Sequence, residues 1–181
     1  MELLNPRVSN SNVDDPNKLI ICISYLTQTL GIVRIIWGYN LIDLFTWVDV
    51  SYAVHPNMLL QTGGVMSMGY GILHCRSSKQ NMNAIFLTED ELIGTSEYII
   101  FNLFVVMFLE AQGYEIKNHI LFQDNKSTIS MAKNGRASCT GNFRHINIRH
   151  FFVKGEFNKG EIEVNYCPTH LMTADYFTKP L

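Results

Sequence analysis

Charged side chains are scarce in this sequence: Asp, Glu, Lys and Arg make up 17% of 181 residues and nearly cancel, to a net charge of −2. That balance excludes a broadly basic nucleic-acid binder and leaves such contact to a local patch or to bound cations. It also suits a surface normally covered by a partner or by further chain. The cysteines Cys22, Cys75, Cys139 and Cys167 never fall into a C-x-x-C step, so zinc ribbons and dithiol redox sites are excluded and free thiols in a reducing, cytoplasmic setting are expected. There is no signal-peptide pattern, no Ser/Gly-rich or Pro-rich linker, no block of like charge and no internal repeat. The longest apolar run, Tyr98 to Leu109, is broken by Asn102 and falls short of the roughly 20 residues that a bilayer crossing needs. A buried helix is expected there, and no membrane partner.

Apolar residues, by contrast, make up 47% of the chain, enough to bury the core of one ordinary domain. The first sixteen residues, with Asn5-Pro6 and Asp14-Asp15-Pro16, read as loop, and Asn17 to Thr29 as a short helix stopping before Gly31. Leu44 to Tyr52 is rich in β-branched and aromatic residues and predicts a strand, ended by Pro56. "GGVMSMG" and "GILHCRS", divided by Gly69-Tyr70-Gly71, predict two more strands in a meander. Thr88 opens a helix with the S/T-x-x-E pattern of "TEDE", and Gly113 is its expected C-terminal cap. "HILFQ" predicts a fourth strand, "KSTISMAKN" a helix closed by Gly135, "FRHINIRHFFVKGEFNKG" a further helix, "EIEVNYC" a fifth strand and "LMTADYF" a final helical turn or two. The expected architecture is α/β, a mixed five-stranded sheet whose first three strands are antiparallel, with helices packed on it.

Four acids occupy distinctive places in this layout: Asp49 inside the first strand, Glu91 one turn into the long helix, Asp124 at the end of the fourth strand and Asp175 in the last helical turn. Each has an ordinary explanation as well. Asp49 could be a half-exposed strand residue, Glu91 the acidic member of the capping box, Asp124 a turn former beside Asn125, and Asp175 a solvated helix residue. If they converge, their mutual repulsion raises their pKa values unless divalent cations lie between them. An all-oxygen set of this kind favours Mg²⁺ or Mn²⁺ over zinc.

The motifs "WVDVSYAVHPN", "TGGVMSMG", "SSKQ", "TEDEL", "FLEAQGYEI", "QDNKSTI", "KNG", "RHINIRHFFV", "KGEIEVNYCPT" and "ADYFTKPL" follow one another from about Thr46 to Leu181. In order and approximate spacing they resemble the ribonuclease H domain at the C-terminal end of copia-type LTR retrotransposon polyproteins, which follows the reverse transcriptase. The resemblance implies an RNase H-like fold over 41–181, with 1–40 as an N-terminal loop and connector helix left from the polymerase connection. It implies hydrolysis of the RNA strand of RNA/DNA hybrids with two Mg²⁺ ions, Mn²⁺ being a possible substitute. Asp49, Glu91, Asp124 and Asp175 match the family's metal-binding and catalytic acids, Glu91 rather than Glu89 by its place in the helix motif. His170, five residues before Asp175, lies where ribonuclease H enzymes often place a mobile histidine that helps the leaving group depart, although copia-type sequences usually carry an acidic residue here; a solvated loop histidine is the plainer reading. Asn125, Arg144, His145, Arg149 and Lys154 form a candidate nucleic-acid contact, against the alternative of a solvated helix face.

Some residues depart from the family pattern. Phe86-Leu87 replaces small hydroxyl residues, Asp90 stands where an alanine is usual, and "NLFVVMFL" replaces a stretch that often carries tryptophan and arginine. No polymerase, protease or integrase motif accompanies the domain. Two readings therefore stand beside each other: an active nuclease acting in virus-like particles with its reverse transcriptase, and a diverged fragment that keeps the fold without turnover as a nucleic-acid-binding or relic domain. A third, an integrase core of the same fold, conflicts with the "ADYFTKPL" ending.

Overall fold

The computed structural model describes residues 13–38, 42–51, 60–80, 87–134, 152–156 and 158–179. The chain divides into two compact units between Ile35 and Ile36. The first holds helix α1 (Asp15–Gln28). This helix starts earlier than the sequence suggests: Asp15 and Pro16, expected in a loop, form its first turn, where proline's missing N–H and preset φ are compatible with a helix.

The second unit carries the sheet. Its strands are β1 (Trp37–Gly38), β2 (Asp43–Ser51), β3 (Gln61–Ser67), β4 (Gly69–Tyr70), β5 (His74–Lys79), β6 (Asn118–Gln123) and β7 (Glu163–Tyr166). Five of them form a mixed sheet in the order β5-β3-β2-β6-β7. The β5–β3 and β3–β2 pairs are antiparallel, and the β2–β6 and β6–β7 pairs are parallel. The expected mixed five-stranded sheet is present. The third strand is corrected: of "GILHCRS" only the part from His74 joins the sheet, and Gly69–Tyr70, expected as turn residues, pair with Trp37–Gly38 in a separate two-stranded ribbon.

Helix α2 (Leu87–Ala111) crosses the sheet, and α3 (Lys126–Asn134) follows β6. A Schellman cap ends α2: the Gly113 N–H donates to Glu110 O, the Tyr114 N–H to Leu109 O, and Gly113 has φ +88°. The main core lies between sheet and helices, built from Val48 and Leu121 on the strands, Leu92, Tyr98 and Ile99 of α2, and Ile129 and Ala132 of α3. Two glycines let α2 settle close to the sheet. A Cβ on Gly94 would lie 2.7 Å from Val50 Cγ2, and one on Gly64 would lie 1.8 Å from the Tyr98 ring, whose hydroxyl donates to Gly64 O at 2.9 Å.

The expectation of a buried helix over Tyr98–Leu109 holds on one face only. Tyr98, Ile99 and Asn102 are buried, the last accepting a 2.9 Å hydrogen bond from Thr46 Oγ1, whereas Ile100, Phe104, Met107 and Phe108 are exposed. By length and composition Thr88–Ala111 would suffice to cross a membrane. Its first turns are nevertheless the ones packed on the sheet, as in the core helix of a globular domain.

Candidate active site

Asp49 lies near the middle of the sheet, on the face of β2 shared with Trp47 and Ser51. The parallel register Trp47↔Phe122, continued two residues, sets Asp49 beside Asp124 just past the end of β6. Glu91 comes from α2 and stands one turn before Gly94, so the close helix–sheet contact at Gly94 presses it toward the same strand ends. The result is a cluster: one carboxylate oxygen from each of Asp49, Glu91 and Asp124 lies within 4.8 Å of the others, with Asp49 and Glu91 buried and Asp124 half-buried.

The cluster is electrostatically strained. Burial pushes the Asp49 carboxyl up to about 6, offset in part by the Thr178 hydroxyl that donates to Oδ2 and raised further by Asp175 and Asp124. Burial, then the neighbouring Asp49, drives Glu91 up to about 9, against the Gln123 amide and the Val50 N–H that donate to it. The Glu91 carboxylate therefore points into the sheet. It does not reach back to cap α2, and the capping-box reading gives way because Leu87 is already helical. Glu89, the other acid of the motif, stays outside the cluster.

Gln123 escaped the sequence reading. It is wholly buried and links two elements: Nε2 donates to Glu91 Oε2 at 3.1 Å and Thr95 Oγ1 at 3.4 Å, while Oε1 accepts from the Asp124 and Asn125 N–H groups at 2.8 and 3.2 Å. Asn125 has a local task, its Oδ1 accepting the Ser127 and Thr128 N–H groups at 2.9 and 3.2 Å as the N-cap of α3.

Asp175 sits in a 3₁₀ turn, Thr173–Phe177, adjacent to the cluster and outside it. It forms an ion pair with Lys179. Gly63, opposite Asp49 in register, admits this turn: a Cβ there would lie 2.8 Å from Ala174 O and 2.7 Å from Thr178 Cγ2. Ser51 Oγ donates to Thr178 O at 2.8 Å and fastens the turn to β2. His170 is exposed in the short 3₁₀ turn Thr169–Leu171, next to Thr169, whose hydroxyl donates to Asp124 Oδ2 at 3.2 Å. Lys154 is half-buried in the helical stretch 152–156; Arg144, His145 and Arg149 lie outside the described residues.

No protein-family model matches the chain. Among solved structures, LC11-RNase H1, isolated from compost by a metagenomic approach, aligns with a TM-score of 0.52 at 11% identity, over 75% of this chain and 92% of that one. LC11-RNase H1 in complex with an RNA/DNA hybrid aligns with a TM-score of 0.50 at 13% identity, over 75% and 93%. The fold is thus that of ribonuclease H. In sequence the chain is 24% identical over 145 residues to the retrovirus-related Pol polyprotein from transposon TNT 1-94 of Nicotiana tabacum, covering 80% of this chain. It spans about 10% of that polyprotein's length. The chain thus has the fold of ribonuclease H and resembles in sequence one stretch of a retroelement Pol polyprotein.

Proposed function

We propose that this chain is the ribonuclease H domain of a copia-type Pol polyprotein and hydrolyses the RNA strand of RNA/DNA hybrids during reverse transcription. The observation that carries the reading is the convergence of Asp49, Glu91 and Asp124 within 4.8 Å. Their donor set fits divalent cations: it is all oxygen, Asp49 and Glu91 are buried, and burial, added to by the neighbouring acids, makes these two hold a proton more tightly than free carboxyls. Asp49, Glu91 and Asp124 would hold the ions, two Mg²⁺ or in their place Mn²⁺, with Asp175 completing the set once Lys179 releases it. Bound ions would supply an activated water and neutralise charge on the scissile phosphate.

The chain's own residues do the rest. The Thr178 hydroxyl orients Asp49, and the Gln123 amide orients Glu91. Water would add to phosphorus and give up a proton to solvent, the bond to the 3′ oxygen would break, and that oxygen would receive a proton from the exposed His170, the donor we assign to it. RNA would be distinguished from DNA through its 2′-hydroxyl groups. A linked reverse transcriptase domain is the expected partner. One observation favours the alternative of an inactive relic, namely that Asp175 is already engaged by Lys179.

Cleavage of an end-labelled RNA/DNA hybrid in Mg²⁺ or Mn²⁺, beside Asp124→Asn, tests the reading. Metal-dependent cutting of the RNA strand alone, lost in the variant, is expected. A folded wild-type protein that cuts in neither metal is the relic.

A further inference from the structure

Gln123 is the one wholly buried polar side chain among the described residues that touches both a cluster acid and the turn carrying another. A primary amide has two N–H donors and one carbonyl oxygen with two lone pairs, and here each is directed at a partner. The donors face Glu91 Oε2 and Thr95 Oγ1, which are four residues apart and so on one side of α2. The carbonyl oxygen receives the N–H groups of Asp124 and Asn125, the first residues after β6. Because those two partners are obligate donors, the amide has one permissible orientation. Neither Glu nor Leu reproduces it. A glutamate can accept from the turn but cannot donate to Glu91, and a leucine does neither.

This geometry separates Gln123 from core packing. It lies across the gap between α2 and the β6–α3 turn, the two elements that bring Glu91 and Asp124 to the site. From these contacts we propose that Gln123 is a positioning residue for cation binding: it holds the Glu91 carboxylate and the Asp124 turn at the separation at which both ligate one divalent ion. The proposal rests on the reading of the three acids as a metal site. Outer hydrogen-bond partners of metal ligands typically alter affinity by about 10–100-fold when removed, and Gln123 is such a partner to two elements at once.

The test is a titration of the full chain with Mn²⁺ alone, following free Mn²⁺ by electron paramagnetic resonance, for wild type, Gln123→Glu and Gln123→Leu. It is run well below each variant's melting temperature, with folding checked by circular dichroism. Gln123→Glu keeps the acceptor contacts to Asp124 and Asn125 but sets a second buried carboxyl against Glu91, so the titration also includes Gln123→Met, which keeps the side chain's length without adding charge, as the variant expected to fold. The expected result is a Mn²⁺ affinity at least about tenfold weaker in the folded variants, larger than any change in a Thr46→Val control, which breaks a buried hydrogen bond to α2 remote from the acids. Lower melting temperatures with unchanged Mn²⁺ affinity would reduce Gln123 to a structural tie and overturn the proposal while leaving the metal site standing. Wild-type protein that binds no Mn²⁺ at millimolar concentration would remove the metal site itself, and the proposal with it.

Discussion

The three acids of the cluster and the fourth beside them are held in different ways. Asp49, Glu91 and Asp124 come from a central strand, a core helix and a strand end, elements bound to one another by sheet pairing and by the Gly64 and Gly94 contacts. Asp175 comes from a short 3₁₀ turn fastened by a few hydrogen bonds and ion-paired to its own neighbour Lys179. Three acids are thus built into the fold, while the fourth depends on a segment that rests on it. Loss of a cluster acid should remove function without moving the chain, and damage to the turn should act by degrees.

The sharpest break of that contrast is Asp124→Asn, which should reduce hybrid cleavage to background with the melting temperature little changed, measured by gel assay beside calorimetry; Asp49→Asn should abolish cleavage too and raise the metal-free melting temperature above about pH 6. Next is Gly63→Ala. Its Cβ would press on Ala174 O and Thr178 Cγ2, displacing the fourth acid and the hydroxyl on Asp49; cleavage should fall about tenfold or more while Mn²⁺ still binds the three remaining acids.

Lys179→Ala should have a smaller effect and a diagnostic direction. Lys179 lowers the Asp49 pKa, so its removal should shift the rising limb of the pH–rate profile upward, while freeing Asp175 as a ligand. An unchanged profile would mean that the ion pair has no hold on the cluster.

The smallest effect concerns stability without metal. Asp49 and Glu91 both bind a proton more tightly in the folded than in the unfolded chain. Their contribution is therefore complete at acid pH, below their unfolded values, and is lost as pH rises through about 6 for Asp49 and about 9 for Glu91. The metal-free melting temperature should decline across that window. Glu91→Gln should flatten its upper part, and Mn²⁺ at the alkaline end should restore stability by binding the folded state.

The sheet was legible because its strands carry β-branched and aromatic residues between turn signals, and the acids because their motifs follow one another in a recognisable series. Other features left no such trace. Strands of two residues show no alternation, which is why Trp37–Gly38 and Gly69–Tyr70 were missed. The run Tyr98–Leu109 is apolar on every face, so periodicity could not tell its exposed stripe of Ile100, Phe104, Met107 and Phe108 from its buried one. Gln123 looked like an ordinary strand residue; its importance comes from what α2 brings to it from more than thirty positions away.

Gly64 has a genetic consequence. Every glycine codon is a single base change from codons for larger residues, and at this position even a methyl group would occupy the space of the Tyr98 ring. A copy altered only there would pass any inventory of acidic residues as intact, yet the Tyr98 ring would have to leave its place between α2 and β3, the helix and strand packed beside those residues. Judging which copies can still bring the acids together therefore requires reading codons 63, 64 and 94 beside those of the acids.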